Sequence, residues 1–177
     1  MKNITKQKEA TAFETLKADL GLKNVMQAPR LTKVVVSSGV GSAKDKARLA
    51  VVADRLARIT GQKPSARGSR ASIAQFKMRE GDVVGYQVTL RGARMYDFVD
   101  KFIHIALPRT RDFRGLSASA IDEMGNITIG LKEQTIFPET GDEDLKDVFG
   151  LAVTIGTTAK DKKGAEAFLR HIGLPLI

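Results

Sequence analysis

Basic side chains crowd residues 61–115, and their chemistry is the capture of anions rather than the making or breaking of bonds. Between Lys63 and Gly81, the cations Lys63, Arg67, Arg70, Lys77 and Arg79 face one acid, Glu80. Between Thr89 and Gly115, Arg91, Arg94, Lys101, Arg109, Arg111 and Arg114 outnumber Asp97, Asp100 and Asp112. Arginine predominates, and its planar fork suits phosphates and the faces of bases. The acids collect elsewhere: Glu133, Glu139, Asp142, Glu143, Asp144 and Asp147 meet only Lys146 in their stretch. Such segregation favours a defined anion-binding face over diffuse solubilising charge.

Other residues capable of chemistry are sparse. The GVGSAKDK run from Gly39 to Lys46 has the first two glycines of a dinucleotide fingerprint, but Lys44 stands where the third belongs. It also lacks a Walker lysine–hydroxyl pair, so a tight turn and a capped helix start account for it more simply. His104 and His171 have no partner at metal-ligand or triad spacing. The acids at Asp142, Glu143 and Asp144 could hold a cation, although a solvated loop explains them more simply. Asp97 and Lys101, four apart, read as a weak helix-surface ion pair. No catalytic residue, metal or cofactor is expected.

The chain has 177 residues, 42% hydrophobic content and a formal net charge of +9. That length and apolar content suit one well-cored domain, expected over residues 1–177. The charge calls for a polyanionic partner. No long apolar span and no Trp-bearing amphipathic helix points to a membrane. Cysteine is absent, which excludes disulfides and thiolate zinc sites and fits a reducing compartment. The first residues, MKNITKQKEA, form no apolar leader, so a cytosolic protein is expected.

Period and punctuation place these residues on elements. Ala12, Phe13, Leu16 and Leu20 mark a helix over 6–20. Contiguous Val34, Val35 and Val36 mark a strand over 31–37, with Gly39 and Gly41 turning the chain. Ser42 and Asp45 would cap a second helix, with Leu49, Val52, Ala53, Leu56 and Ile59 as its core stripe and Gly61 as its stop. Residues 65–82 show no period and read as a long basic loop, a feature usually functional inside a compact domain. Val84, Tyr86, Val88 and Leu90 alternate with Gly85, Gln87, Thr89 and Arg91 as a strand. A helix over 93–106 buries Met95, Phe98, Val99, Phe102 and Ala106, and Pro108 stops it. Two more alternating strands centre on Ile129 and Val153, and a last helix over 161–171 buries Ala165, Phe168, Leu169 and Ile172.

This pattern predicts an α+β fold: a mainly antiparallel sheet with helices on one face and an open polar face. Lys33, Gln87, Thr89, Arg91, Thr128 and Thr154 would lie on that face. Hydrogen-bonding groups of modest size beside basic loops suit an RNA duplex, which is read by shape and 2′-hydroxyls. Few aromatics are available for stacking single strands. From residues alone, three readings stand: a structural RNA-binding protein, an RNA-directed enzyme using the GVG turn for a nucleotide, and a general basic binder of any duplex.

Longer words carry a resemblance. ITGQKP (59–64), SIAQFKMREG (72–81), VTLRGARMYDF (88–98), ALPRTRDFRG (106–115), GNITIGLKEQTIFPE (125–139) and TTAK (157–160), with MQAPR at 26–30, resemble the bacterial large-subunit ribosomal protein five family, in order over nearly the whole chain. The resemblance implies a non-enzymatic, cytoplasmic ribosomal constituent of the central protuberance, monomeric within the ribosome. It implies binding to 5S rRNA and large-subunit rRNA, contact with the P-site tRNA, and an intersubunit bridge to small-subunit ribosomal protein thirteen. Carried over by position, the family's 5S rRNA contacts fall on Ser37, Gln62 and Thr89, and the expected binding set adds the neighbouring cations Lys33, Lys63, Arg91 and Arg94. The tRNA-facing loop, 67–82, would use Arg67, Ser69, Arg70, Ser72, Lys77 and Arg79. Arg109, Arg111 and Arg114 are expected at other rRNA or bridge contacts. The chain departs from the family pattern at Ser37 and Ser38, which replace Asn and Met. Phe149, Ala152 and Ile121 replace Arg, Asp and Phe, and Gly68 and Ala71 lighten the loop's charge.

Overall fold

The computed structural model describes residues 3–41, 46–111, 113–141 and 148–177. The expected cap at Ser42 and Asp45, the acidic run at Asp142, Glu143 and Asp144, and Asp112 lie outside the described residues. The fold is α+β, as the periodicity predicts. Its helices are α1 (Ile4–Leu20), α2 (Lys46–Thr60), α3 (Ala93–Lys101) and α4 (Lys162–Ile172). Its strands are β1 (Leu31–Gly39), β2 (Ser65–Gly68), β3 (Val83–Leu90), β4 (Ile127–Leu131) and β5 (Leu151–Thr157). They form one five-stranded antiparallel sheet in the order β2-β3-β1-β5-β4. The chain divides into two compact units built from discontinuous segments: 1–34, 91–129 and 154–177 in one, 35–90 and 130–153 in the other.

In the first unit, α1 packs on α3 and α4. The start of α1 is capped from another helix: the Thr5 N–H donates to Asp100 Oδ1 at 2.8 Å, and the Thr5 hydroxyl donates to the same oxygen. A carboxylate there satisfies an orphan donor and meets the positive end of the helix dipole. Glu9, one turn further along, ties α1 to two other elements. Its Oε2 accepts the Leu31 N–H at 3.1 Å, and its Oε1 accepts the Tyr96 hydroxyl at 3.0 Å. His171 serves the same packing, since its Nε2–H donates to Lys8 O at 2.7 Å. This is a structural tie between α4 and α1.

The helix expected over 93–106 changes character midway. The α-helix ends at Lys101, and Phe102–Ala106 forms a π-helical turn in which the Leu107 N–H reaches Phe102 O at 2.9 Å. The wider turn keeps Phe102, Ile103 and Ala106 buried.

In the second unit, α2 packs on β3, burying Val52, Leu56 and Ile59. Gly61 adopts the left-handed conformation (φ 66°) that the helix stop requires. Serine at position 38 is buried, and its hydroxyl donates to Gly150 O at 2.7 Å, which offsets the cost of burying a polar group. Phe149 is likewise buried, and its N–H donates to Oε1 of the fully buried Gln134 at 2.7 Å. In the first unit Ile121 is also a core residue. Ser38, Phe149 and Ile121 thus serve packing.

The tightest constraint in the second unit is at Gly85. A Cβ there would stand 2.7 Å from Ser38 O and 3.5 Å from Gly39 Cα, so β3 approaches β1 as only glycine permits. Gly85→Ala is therefore expected to destabilise the protein by about 1–3 kcal/mol in urea unfolding. A change below about 0.5 kcal/mol would contradict the close approach. A second expectation concerns Tyr96, whose pKa rises from 10.0 to about 12 through burial first, then its hydrogen bond to Glu9 and the Glu9 charge. The folded state holds this proton more tightly than the unfolded chain. Its contribution is complete below pH 10 and is lost as pH rises through about 12. Tyr96→Phe should cost about 1 kcal/mol at neutral pH and flatten the loss of stability across that window. An unchanged alkaline profile would contradict the assignment.

Candidate nucleic-acid interface

The expected 5S rRNA set divides between the units. Ser37, Gln62, Lys63 and Thr89 belong to the second, and Lys33, Arg91 and Arg94 to the first.

In the second unit, the end of α2 delivers Gln62 to β3. The Thr60 hydroxyl donates to Leu56 O at 2.6 Å, and Gly61 then turns the chain. The Gln62 side chain donates from Nε2 to Thr89 O at 3.4 Å. Residues 27 positions apart are thereby held side by side. Both are half-buried, as is Ser37, while Lys63 is exposed. Val88 and Leu90 turn into the core, so Gln87 and Thr89 point the other way.

In the first unit, Lys33, Arg91 and Arg94 are exposed. The Lys33 stem lies over Gly156, where an added Cβ would come within 3.3 Å of Lys33 Cγ. The glycine seats the aliphatic stem and leaves the ammonium in solvent. Thr128 and Thr154 form a cross-strand hydroxyl pair at 3.1 Å. Arg109, Arg111 and Arg114 are exposed around the segment that leaves the π-helical turn.

The segment expected as a long loop is largely an arm. β2 pairs antiparallel with β3, from Ser65 opposite Gln87 to Gly68 opposite Val83, with a register shift between Arg67 and Gly68. Beyond the strands the two sides continue to bond. The Ser69 N–H reaches Asp82 O at 2.8 Å, the Gly81 N–H reaches Ser69 O at 3.0 Å, and Ile73 and Met78 exchange both backbone bonds. Side chains brace the arm: Arg67 Nε donates to Gln87 Oε1 at 2.7 Å, the Ser69 hydroxyl to Ala71 O at 2.7 Å, and the Arg79 N–H to Asp82 Oδ2 at 2.8 Å. Ser72 Oγ accepts the Glu80 N–H at 3.0 Å. The hydroxyls of Ser69 and Ser72 thus shape the arm. Arg67, Arg70, Lys77 and Arg79 are all exposed.

Among the described residues, no carboxylate forms a salt bridge with Lys33, Lys63, Arg67, Arg70, Lys77, Arg79, Arg91, Arg94, Arg109, Arg111 or Arg114. Ion pairs such as Arg58–Asp54 and Arg170–Glu166 lie instead along α2 and α4. Unneutralised cations at this density favour a polyanion. Sequence reasoning missed Ile73 and Phe76, two large apolar side chains exposed at the arm's end. Their three-residue spacing within a polar, basic segment was the available signal.

Comparison with known proteins assigns most of the chain. Residues 24–79 match the family described as ribosomal protein L5, and residues 83–176 match the model of that family's C-terminus. The large ribosomal subunit protein uL5 of Natranaerobius thermophilus is 48% identical over 161 residues, 90% of this chain and 90% of that protein. That of Heliobacterium modesticaldum is 54% identical over 157 residues, 88% of this chain and 87% of its own length. An Anaeromyxobacter uL5 (strain K) is 48% identical over 161 residues, covering 90% and 89%.

The arm's hydrogen bonds predict that it is ordered without a partner. Backbone ¹⁵N relaxation of the free protein should give order parameters near 0.85, about the rigid-backbone value, at Ser69, Ile73, Met78 and Gly81. Values below about 0.6 at these four amides would show a mobile loop instead.

Proposed function

This chain belongs to the bacterial large-subunit ribosomal protein uL5 family, and from that membership we propose that it binds 5S rRNA and helps to attach it in the central protuberance. As a member of the family it is a structural, non-enzymatic constituent of the large ribosomal subunit in the cytoplasm, associated with rRNA. In the proposed contact, Gln62, Thr89 and Ser37 meet the RNA backbone and 2′-hydroxyls. Lys33, Lys63, Arg91 and Arg94 neutralise phosphates. The observation that carries this reading is the Gln62–Thr89 hydrogen bond, which joins two half-exposed polar residues next to the exposed Lys63. A duplex of A-form shape is the fitting ligand, because hydrogen-bonding groups of this size reach 2′-hydroxyls in its shallow groove.

The arm over 67–82 is proposed to contact the P-site tRNA. Its ligands would be Arg67, Arg70, Lys77 and Arg79, with Ser69 and Ser72 holding its shape. Arg109, Arg111 and Arg114 are proposed to meet large-subunit rRNA or, across the subunit boundary, small-subunit ribosomal protein thirteen.

Binding of isolated 5S rRNA across a salt series tests the first contact. The affinity should fall with a logarithmic slope of about 0.7–0.9 per neutralised phosphate. Thr89→Val and Gln62→Ala should each weaken it about 5- to 10-fold, the worth of one hydrogen bond. Arg70→Ala should leave 5S rRNA binding unchanged. Equal losses from Thr89, Gln62 and Arg70 variants, or equal affinity for random RNA, would contradict the proposal.

A further inference from the structure

The arm's end carries more than charge. Phe76 is 58% exposed and Ile73 is 41% exposed, although the backbone beneath them is tied by the paired bonds between Ile73 and Met78. The turn through Ala74–Phe76 closes on Lys77 in the left-handed conformation (φ 52°, ψ 33°). Lys77 is the one non-glycine residue with positive φ among the described residues. That conformation is unfavourable for a residue with a Cβ, and such strain persists where surrounding contacts impose it. Phe76 is thus presented to solvent on a hydrogen-bonded support.

Its surroundings select the occupant. Arg67, Arg70, Lys77 and Arg79 are exposed on the same arm and outnumber its acids Glu80 and Asp82. Phe76, Gln75, Lys77 and Met78 border an open recess of about 440 Å³ that Gly41 also lines. The matching ligand has a flat apolar face and negative charge around it. An unstacked nucleobase between its phosphates has both; a plain duplex hides its base faces.

We propose that Phe76 is the arm's stacking platform: its ring lies on a nucleobase that is unpaired or ends a stack, with Ile73 beside it, while Arg70, Lys77 and Arg79 hold the flanking phosphates. This rests on the reading that the arm meets RNA, and it deepens that reading. The arm then distinguishes a folded RNA that presents a base at a corner from a continuous helix, which charge alone cannot do.

The chain contains no tryptophan, so Phe76→Trp installs a single fluorescent reporter. The full chain is titrated at matched salt and equal nucleotide concentration with folded tRNA and with a long RNA duplex, whose base faces are exposed only at its two ends. Emission should be quenched saturably by tRNA and little by the duplex. Phe76→Ala and Phe76→Leu should weaken tRNA binding about 5- to 150-fold, the range for loss of one base–aromatic stack, with the salt slope unchanged. Phe76→Tyr should restore binding. Arg70→Ala should instead lower the slope by about 0.7–0.9. Thermal melting of each variant confirms folding. Wild-type affinity in Phe76→Ala, or full binding in Phe76→Leu, would overturn the stacking role while Arg70→Ala still weakens binding. Equal quenching by the duplex would overturn the preference for an unstacked base. If neither Phe76→Ala nor Arg70→Ala alters tRNA binding, the underlying assignment of the arm to RNA falls with the inference.

Discussion

At Gly85 the backbone of β3 comes so close to β1 that a single methyl group would collide with the Ser38 carbonyl. Much of the second unit's functional surface depends on that approach. Ser38 faces inward and bonds Gly150, which sets the outward direction of Ser37. β3 continues from Gly85 to Thr89, where the Gln62 amide is received. On its other edge β3 pairs with β2, so the root of the arm is set by the same strand. One close contact between backbones therefore fixes the register of two proposed RNA contacts.

Period made much of the fold legible in the sequence. β4 and β5 alternate cleanly, and α2 and α4 carry continuous apolar stripes ended by Gly61 and Gly173. The arm was illegible for a physical reason. β2 has four residues, all exposed, so no buried face imposes a two-residue period. Its partners are supplied by β3 and by serine and aspartate side chains bonded to backbone, and pairings of that kind leave little trace in composition. The change to a π-helical turn after Lys101 was likewise hidden, because the apolar stripe runs on through Phe102 and Ala106.

The candidate site was legible in part. Charge segregation exposed the basic arm and the Arg109–Arg114 cluster, and alternation placed Thr89 on the polar side of its strand. No spacing rule brings Gln62 to Thr89; family resemblance paired them, and the fold supplies the hydrogen bond. Phe76 illustrates the opposite error. An aromatic residue in a basic segment reads as incidental until the backbone around it proves to be hydrogen-bonded and its ring proves to be outside. The two proposed contact modes then differ physically: hydrogen bonds and phosphate neutralisation beside β3, stacking at the arm's end.

Lysine reactivity tests this division most directly, because Lys33, Lys63 and Lys77 are all exposed in the free protein. The protein is acetylated with and without saturating 5S rRNA, and each lysine is quantified by mass spectrometry. The account predicts that 5S rRNA shields Lys33 and Lys63 while Lys77 reacts as before. Shielding of Lys77 with Lys33 and Lys63 unchanged would contradict it.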